Sequence, residues 1–365
     1  MAKISFNPDE PFNNLPFLPP KGFRESERIL RQLVLSHKVL AELKGYSELL
    51  PNKNIILNSI TLQEAKDSSE IENIITTQDE LFKAIALQKK IDRPEIKEVL
   101  NYRKAIFTGL SRIKKNKMLT TNFIIDIQRE IENNSAGIRK LPGTKLINDA
   151  TGETMYTPPD NEKIIRDLLT NFERFMNEES DNYDDLIKMA MLHYQFEAIH
   201  PFYDGNGRTG RIINVLYLVL KGLLNEPFLY LSDYIIKTKS EYYRLLRSVT
   251  THNNWEEWIL YILKAIETTS VSTLLLSKKI ISLMERTADK IKKERPKIYS
   301  RELLEILFSN VYSKISHLTG AKIASRNIAA NYLKELEKIG ILAGEKIGRE
   351  VIYVNKELFN LFNRK

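Results

Sequence analysis

Apolar residues recur three and four apart through most of this chain, and that period restricts the fold to a largely helical body. It is present over about 25–48, 59–73, 76–89, 93–115 and 120–133, as in the set Ile29, Leu30, Leu33 and Val34. It fails between 134 and 160. It then resumes over about 161–178, 184–199, 206–223, 232–251 and 255–293, the last stretch so long that a break is expected within it. Residues 1 to about 24 are rich in Pro and Asn and are expected to lie on the body as an extended arm, because Pro19-Pro20 does not sit inside a helix. With 365 residues, 42% of them hydrophobic, the chain can bury the cores of two or three domains.

Within the gap, the run from Leu146 to Thr157, tipped by Asp149-Ala150-Thr151-Gly152 and followed by Pro158-Pro159, reads as a short edge β-hairpin. Charge clusters around a proline over 292–297 and marks a boundary near 295. Beyond it, 302–308, 313–318 and 325–339 read as helices, and 344–348 and 351–354 as strands. That order is the one expected of a winged helix-turn-helix with 325–339 in the recognition position. The chain therefore divides into an arm and helical region over 1–115, a mainly α core over 116–294 and a small unit over 295–365.

Composition narrows the chemistry. There is no cysteine, which excludes a disulfide framework and a thiolate nucleophile or metal site, and suits a reducing cytoplasm. The first twenty residues lack a signal-peptide pattern, and no later stretch is expected to span a bilayer, so no membrane partner is expected. A net charge of +8 arises from 55 basic against 47 acidic residues, a mixed surface that leaves nucleotide, nucleic acid and acidic protein all open.

The chemistry concentrates in LHYQFEAIHPFYDGNGRTGR, from Leu192 to Arg211. A helix is expected to end at His200, because Pro201 disfavours its continuation, and a second to start near Arg208 after the turn Gly205-Asn206-Gly207. A Gly-rich turn at a helix N-terminus presents unpaired N–H groups and the positive end of the helix dipole, a cradle for phosphate. Arg208 and Arg211, at i and i+3, lean toward the same anion, although cations there oppose the dipole; a bound polyphosphate explains that choice. Asp204 is a hard oxygen ligand suited to Mg²⁺. His200, with an ordinary pKa of roughly 6.5, is available to take a proton from an attacking hydroxyl. Phe202 reads as a core anchor. His37, His193, His252 and His317 are not spaced as a metal site and read as structural.

The string HPFYDGNGRTGR resembles the signature HxFx(D/E)GNGRxxR of the Fic family at every specified position. The resemblance implies a helical Fic core and transfer of a nucleotide monophosphate, usually AMP from Mg·ATP, to a Ser, Thr or Tyr hydroxyl of a protein. It implies His200 as base, Asp204 as Mg²⁺ ligand and Gly205, Asn206 and Gly207 as the cradle of the α- and β-phosphates. Arg208 and Arg211 would hold the outer phosphates, Arg211 the γ-phosphate. The hairpin at 146–157 resembles the family's flap, which holds a target segment as an added strand. LSDYIIKTKSEYYRLL, from Leu231 to Leu246, resembles the nucleoside-side region, making Tyr242, Tyr243 and Leu246 candidates for the adenine pocket. Thr250 stands where some relatives carry an asparagine, which leaves base preference open. A homodimer is an expectation of the resemblance alone.

Ser68-Ser69-Glu70-Ile71-Glu72-Asn73 resembles the (S/T)xxxE(G/N) motif of family members whose inhibitory helix precedes the core in the same chain. On that resemblance Glu72 pairs with Arg211 in the place of the γ-phosphate, while Ser68 caps or orients the helix. The alternative is a solvated helix bearing Glu64, Glu70 and Glu72. The leading expectation is an autoinhibited protein adenylyltransferase, able to modify itself. The others are an enzyme that also removes AMP, and a DNA-binding regulator acting through 295–365 with Arg326, Asn327, Asn331 and Lys334 as contacts.

Overall fold

The computed structural model describes residues 6–50, 52–87, 93–148, 151–179 and 182–363. Its N-terminal half holds α1 (Glu27–Glu48), α2 (Lys53–Ile71), α3 (Gln78–Leu87), α4 (Pro94–Asn116) and α5 (Thr121–Glu132). The hairpin β1 (Leu146–Ile147) and β2 (Thr154–Tyr156) follows, then α6 (Glu162–Asn177), α7 (Asp185–Ile199) and α8 (Asn206–Leu220). Next come α9 (Ser232–Lys237), α10 (Lys239–His252) and α11 (Trp255–Glu294). Local chemistry sets several boundaries: Ser26, Thr120 and Asp184 cap α1, α5 and α7 with side-chain oxygens, and Pro94 opens α4.

Two helices, α7 and α8, are buried nearly all round and form the centre of the core. Gly109 lets α4 press against α8, since a Cβ there would lie 2.5 Å from a Leu216 methyl. On the other side Trp258 of α11, fully buried, donates its indole N–H to the Ala190 carbonyl of α7 at 2.7 Å. Trp258→Ala is expected to cost about 3–5 kcal/mol by chemical denaturation, because it empties a large volume and strands that carbonyl. The arm lies on the body as expected: Phe12, Leu15 and Leu18 are buried, and the Phe12 N–H bonds the Thr157 carbonyl at 3.0 Å beside the hairpin.

Three expectations need correction. The helix read over 232–251 is two helices, broken at Thr238, whose hydroxyl lies 2.7 Å from the Tyr234 carbonyl and 2.8 Å from the Tyr261 hydroxyl. The long last helix is unbroken over 40 residues, because it contains neither Gly nor Pro. Contrary to expectation, α11 is also long and apolar enough to cross a membrane by length and composition, although 56% of that window is buried inside the protein. Its apolar faces pack against α1 and α7.

The last unit comprises α12 (Arg301–Ser309), β3 (Tyr312–Ser313), α13 (Ile315–Gly320), α14 (Arg326–Lys338), β4 (Leu342–Ile347) and β5 (Glu350–Asn355). Its sheet runs β3-β5-β4, all antiparallel; β3 was not read from the sequence, and Ser313, expected to open a helix, lies in that strand, with α13 starting at Ile315. A further helix, α15 (Lys356–Asn363), was not read from the sequence. It folds back on the N-terminal region, where Phe359 and Phe362 pack on Phe82 and the Phe362 carbonyl accepts from Gln63. This last unit thereby abuts α2 and α3.

Candidate active site

The helix α7 ends at Ile199 because His200 turns left-handed, with φ 47° and ψ 60°, ahead of Pro201. Phe202, almost wholly buried, anchors the loop that follows. The side chain of Asn206 closes this loop, accepting from the Phe202 N–H and donating to the Phe202 carbonyl, both at 2.8 Å. Its side-chain amide is thus committed to the loop, and only its main chain is available to a phosphate. Gly205 caps α8 at φ 75°, a conformation that side-chain-bearing residues rarely adopt.

Arg208 and Arg211 are each only 2% exposed, and one carboxylate bridges them. Glu72 Oε2 accepts from Arg208 Nε and Glu72 Oε1 from Arg211 Nη2, both at 2.7 Å. A Cβ on Gly207 would lie 2.6 Å from Glu72 Oε1, so the carboxylate rests directly against the first turn of α8. An anion from the same chain therefore sits at the site inferred for phosphate. Burial acts to raise the Glu72 pKa, but Arg211 and then Arg208 hold it below the ordinary carboxylate value.

The pairing of Glu72 with Arg211 agrees with the expectation; its reach to Arg208 was not foreseen. Of the two roles expected of Ser68, capping or orienting its helix, only the second holds. Ser68 lies inside α2 and caps nothing; its hydroxyl accepts from Arg211 Nε at 2.7 Å and its carbonyl from Nη2 at 2.9 Å. The solvated-helix alternative fails for Glu64, which is buried and bonded to Tyr102 and Ser232, pinning α2 to α4 and α9. Glu70 pairs with Lys66 on its own helix.

An open cleft of about 850 Å³ adjoins this cluster and is lined by Glu72, His200, Tyr243, Leu246, Thr250 and hairpin residues Leu146 to Asn148, Met155 and Tyr156, among others. That volume suits a small organic ligand. Tyr242 does not line it. It is buried among Trp258, Tyr261 and His193, with its hydroxyl 2.9 Å from His193 Nε2, because the inward face of α10 packs on α11. Asp149 and Ala150 of the expected hairpin tip lie outside the described residues.

His200 is pushed down to about 4, first by burial and then by the Arg139 guanidinium, with Glu72 opposing. Its imidazole is therefore neutral at pH 7 and able to accept a proton. The Asp204 carboxylate is 73% exposed beside Arg208, with Oδ1 3.7 Å from Nη2. Among the described residues no cluster of three or more acidic, His or Cys side chains forms a metal cage. One open carboxylate at the mouth of an anion cradle fits Mg²⁺, which keeps several waters and takes phosphate oxygens.

Sequence reasoning missed Glu98 and Glu132, which pair with Arg208 at 2.9 Å each, and Glu197, a cleft-lining carboxyl raised to about 7 by burial. The signal for Glu132 was legible: an acid at the last residue of α5 opposes the helix dipole. Arg139 was missed as well; it stands in the segment without periodicity.

Residues 30–111 match the Fic/DOC family N-terminal model, 118–218 the Fic/DOC family model, and 283–358 the model of the C-terminal domain of SoFic-like protein adenylyltransferases. A probable protein adenylyltransferase of Aquifex aeolicus is 38% identical over 80 residues, 22% of this chain and 24% of that protein. Protein adenylyltransferase fic-1 of Caenorhabditis elegans is 29% identical over 112 residues, 31% of this chain and 21% of that protein. The chain thus spans only about a quarter or less of the length of these relatives. Among solved structures, a Fic family protein of Desulfovibrio desulfuricans G20 superposes with TM-score 0.59 at 17% identity, covering 91% of this chain and 97% of that one. Residues 134–508 of C. elegans Fic-1 superpose at 0.53 and 19% identity, covering 67% and 71%. Three matched models in chain order, a shared fold and a complete signature segment at the start of α8 make this chain a member of the Fic/DOC family.

Proposed function

We propose that this protein is an adenylyltransferase that moves AMP from ATP to a Ser, Thr or Tyr hydroxyl of a target protein and is held inactive by Glu72. The observation that carries the reading is the Glu72 carboxylate bridging Arg208 and Arg211 against Gly207, beside a cleft that also holds His200. The names of the curated relatives, all protein adenylyltransferases, support the reaction class.

In this account neutral His200 takes the proton of the acceptor hydroxyl as its oxygen bonds to the α-phosphorus; the bond from the α-phosphorus to the bridging oxygen breaks and pyrophosphate leaves. The N-terminus of α8 and the two arginines hold the phosphate oxygens. Tyr243, Leu246 and Thr250 offer the nucleoside side of the cleft, and the hairpin offers an edge to a target segment. Bound Mg²⁺, held by Asp204, would neutralise phosphate charge.

Incubating a cell lysate with Glu72→Gly protein, Mg²⁺ and ATP should place AMP on Ser, Thr or Tyr of particular proteins, detected by peptide mass spectrometry. No adduct above a protein-free control counts against the reading. Adducts that this protein removes without ATP would identify the reverse activity. Burial lowers the His200 pKa by penalising its charged form, so the rate is expected to stay level from pH 7 to about 5.5 and fall as pH nears 4. An inflection near pH 6.5 that tracks His200 would contradict that environment.

A second reading rests on α14, where Arg326, Asn327, Asn331 and Lys334 are all exposed. If the winged unit binds duplex DNA, Arg326→Glu with Lys334→Glu in the full chain should weaken a salt-sensitive gel shift at least tenfold. No shift by the parent at low salt removes this reading.

A further inference from the structure

Arg139 is fully buried, and its contacts converge on one short piece of main chain. Its backbone N–H donates to the Pro201 carbonyl at 2.9 Å, its Nε to the His200 carbonyl at 2.7 Å and its Nη2 to the Ile199 carbonyl at 3.2 Å. The same Nη2 donates to the Pro159 carbonyl, just beyond the hairpin. Three consecutive carbonyls at the end of α7, which no further helical turn would satisfy, are thus gripped by one residue that also holds the exit of the hairpin. Tyr156 adds a second tie, donating its hydroxyl to the Ala198 carbonyl at 2.8 Å.

A planar guanidinium can address several acceptors in fixed directions at once, which a lysine ammonium cannot. The arrangement also carries a cost: Arg139 Nη1 is buried and has no hydrogen-bond partner. An unsatisfied buried donor costs about 1–3 kcal/mol and in native structures calls for an explanation beyond packing. The left-handed turn at His200 supplies one, since it sets the imidazole on the cleft, and among the described residues Arg139 is the charged side chain bonded to the main chain of that turn.

We propose that Arg139 is a positioning residue that locks the His200 turn to the base of the hairpin, so that the proton acceptor and the edge offered to the target keep a fixed separation. This rests on the transferase reading above, which assigns His200 and the hairpin their roles. The prediction is a loss in the chemical step with little loss in nucleotide affinity, because Arg139 touches none of the phosphate-holding groups.

The test compares Arg139→Lys and Arg139→Gln with the parent, each carrying Glu72→Gly, at a temperature where circular dichroism shows all of them folded. Transfer of label from α-labelled ATP to the chain itself or to lysate protein is expected to fall about 10- to 100-fold at saturating ATP, the scale of a roughly 1 Å misplacement. The KM for ATP is expected to change less than about threefold, and Arg139→Lys, which keeps charge but loses the fork, should not rescue the rate. An unchanged rate at saturating ATP in folded Arg139→Lys overturns the proposal, as does a loss confined to the KM for ATP.

An arm independent of activity separates this proposal from the transferase reading. The His200 imidazole is titrated by NMR, its signal assigned by its absence in His200→Ala. The charged groups facing it are Arg139 and Glu72, with the Glu197 carbonyl one turn earlier on α7. In Arg139→Gln its pKa should rise from about 4 toward the ordinary value. A rise together with no transfer by any protein would fault the transferase reading while leaving the clamp; no rise would fault the clamp itself.

Discussion

Glu72→Gly is expected to raise AMP transfer about 10- to 100-fold over the parent, self-modification included, at equal Mg·ATP. The estimate follows from competition: a carboxylate bonded to both arginines must leave before phosphate oxygens take its place, and a coupling of about 1.4–2.8 kcal/mol corresponds to that range. Truncation removes the competitor without stranding either cation completely. Arg208 keeps Glu98 and Glu132, and Arg211 keeps the Ser68 hydroxyl and carbonyl. The variant should therefore fold, with a somewhat lower melting temperature that ATP restores by binding the native state. Mg·ATP should raise that temperature more in Glu72→Gly than in the parent. Equal transfer by the two proteins would remove Glu72 as a brake.

His200→Ala is expected to lower transfer by at least about 100-fold in the Glu72→Gly background, the lower end of what a positioned base contributes. The imidazole lines the cleft at a helix end and does not belong to the packed centre, so melting temperature should change by only a few degrees. Binding of Mg·ATP should persist, because the cradle at α8 and both arginines remain. Retained transfer in His200→Ala would mean that another group accepts the proton. Glu197, one turn earlier on α7 and raised to about 7 by burial, would then be the group to replace next.

Most of the site was legible in the sequence because its parts are local. His200, Asp204, the glycines and the arginines follow one another from the end of α7 into the first turns of α8, and helix-end physics dictates what such a junction offers. The distant partner Glu72 was legible only through its motif. No pattern within residues 68–73 shows that their helix ends above Gly207; that follows from packing of α2 on α4 and α9 through Glu64. Tyr242 and Tyr243 show the limit at one step of sequence. Adjacent residues on a helix face about 100° apart, so one enters the aromatic core and the other lines the cleft. Which of them does so depends on where α11 lies, and periodicity in α10 alone does not fix that.

Elsewhere the misses have local causes. Thr238 broke a helix through a hydroxyl that competes for main-chain acceptors, a feature that helical periodicity does not register. The unread helix α15 did carry a signal: the Asn355 side chain accepts from the Leu358 N–H, and Leu358 and Phe362 stand four apart. Arg139 was invisible because its acceptors are carbonyls, which any sequence possesses. Its importance appears only once the ends of α7 and of the hairpin come together.

The most direct test of the central claim is label transfer by Glu72→Gly protein with Mg²⁺ and ATP labelled either at the α- or at the γ-phosphate. The cradle at α8, with His200 beside it, predicts that α-label enters protein, that γ-label does not, and that His200→Ala prevents the transfer. Incorporation of γ-label alone, or of neither label by a protein that binds ATP, would contradict it.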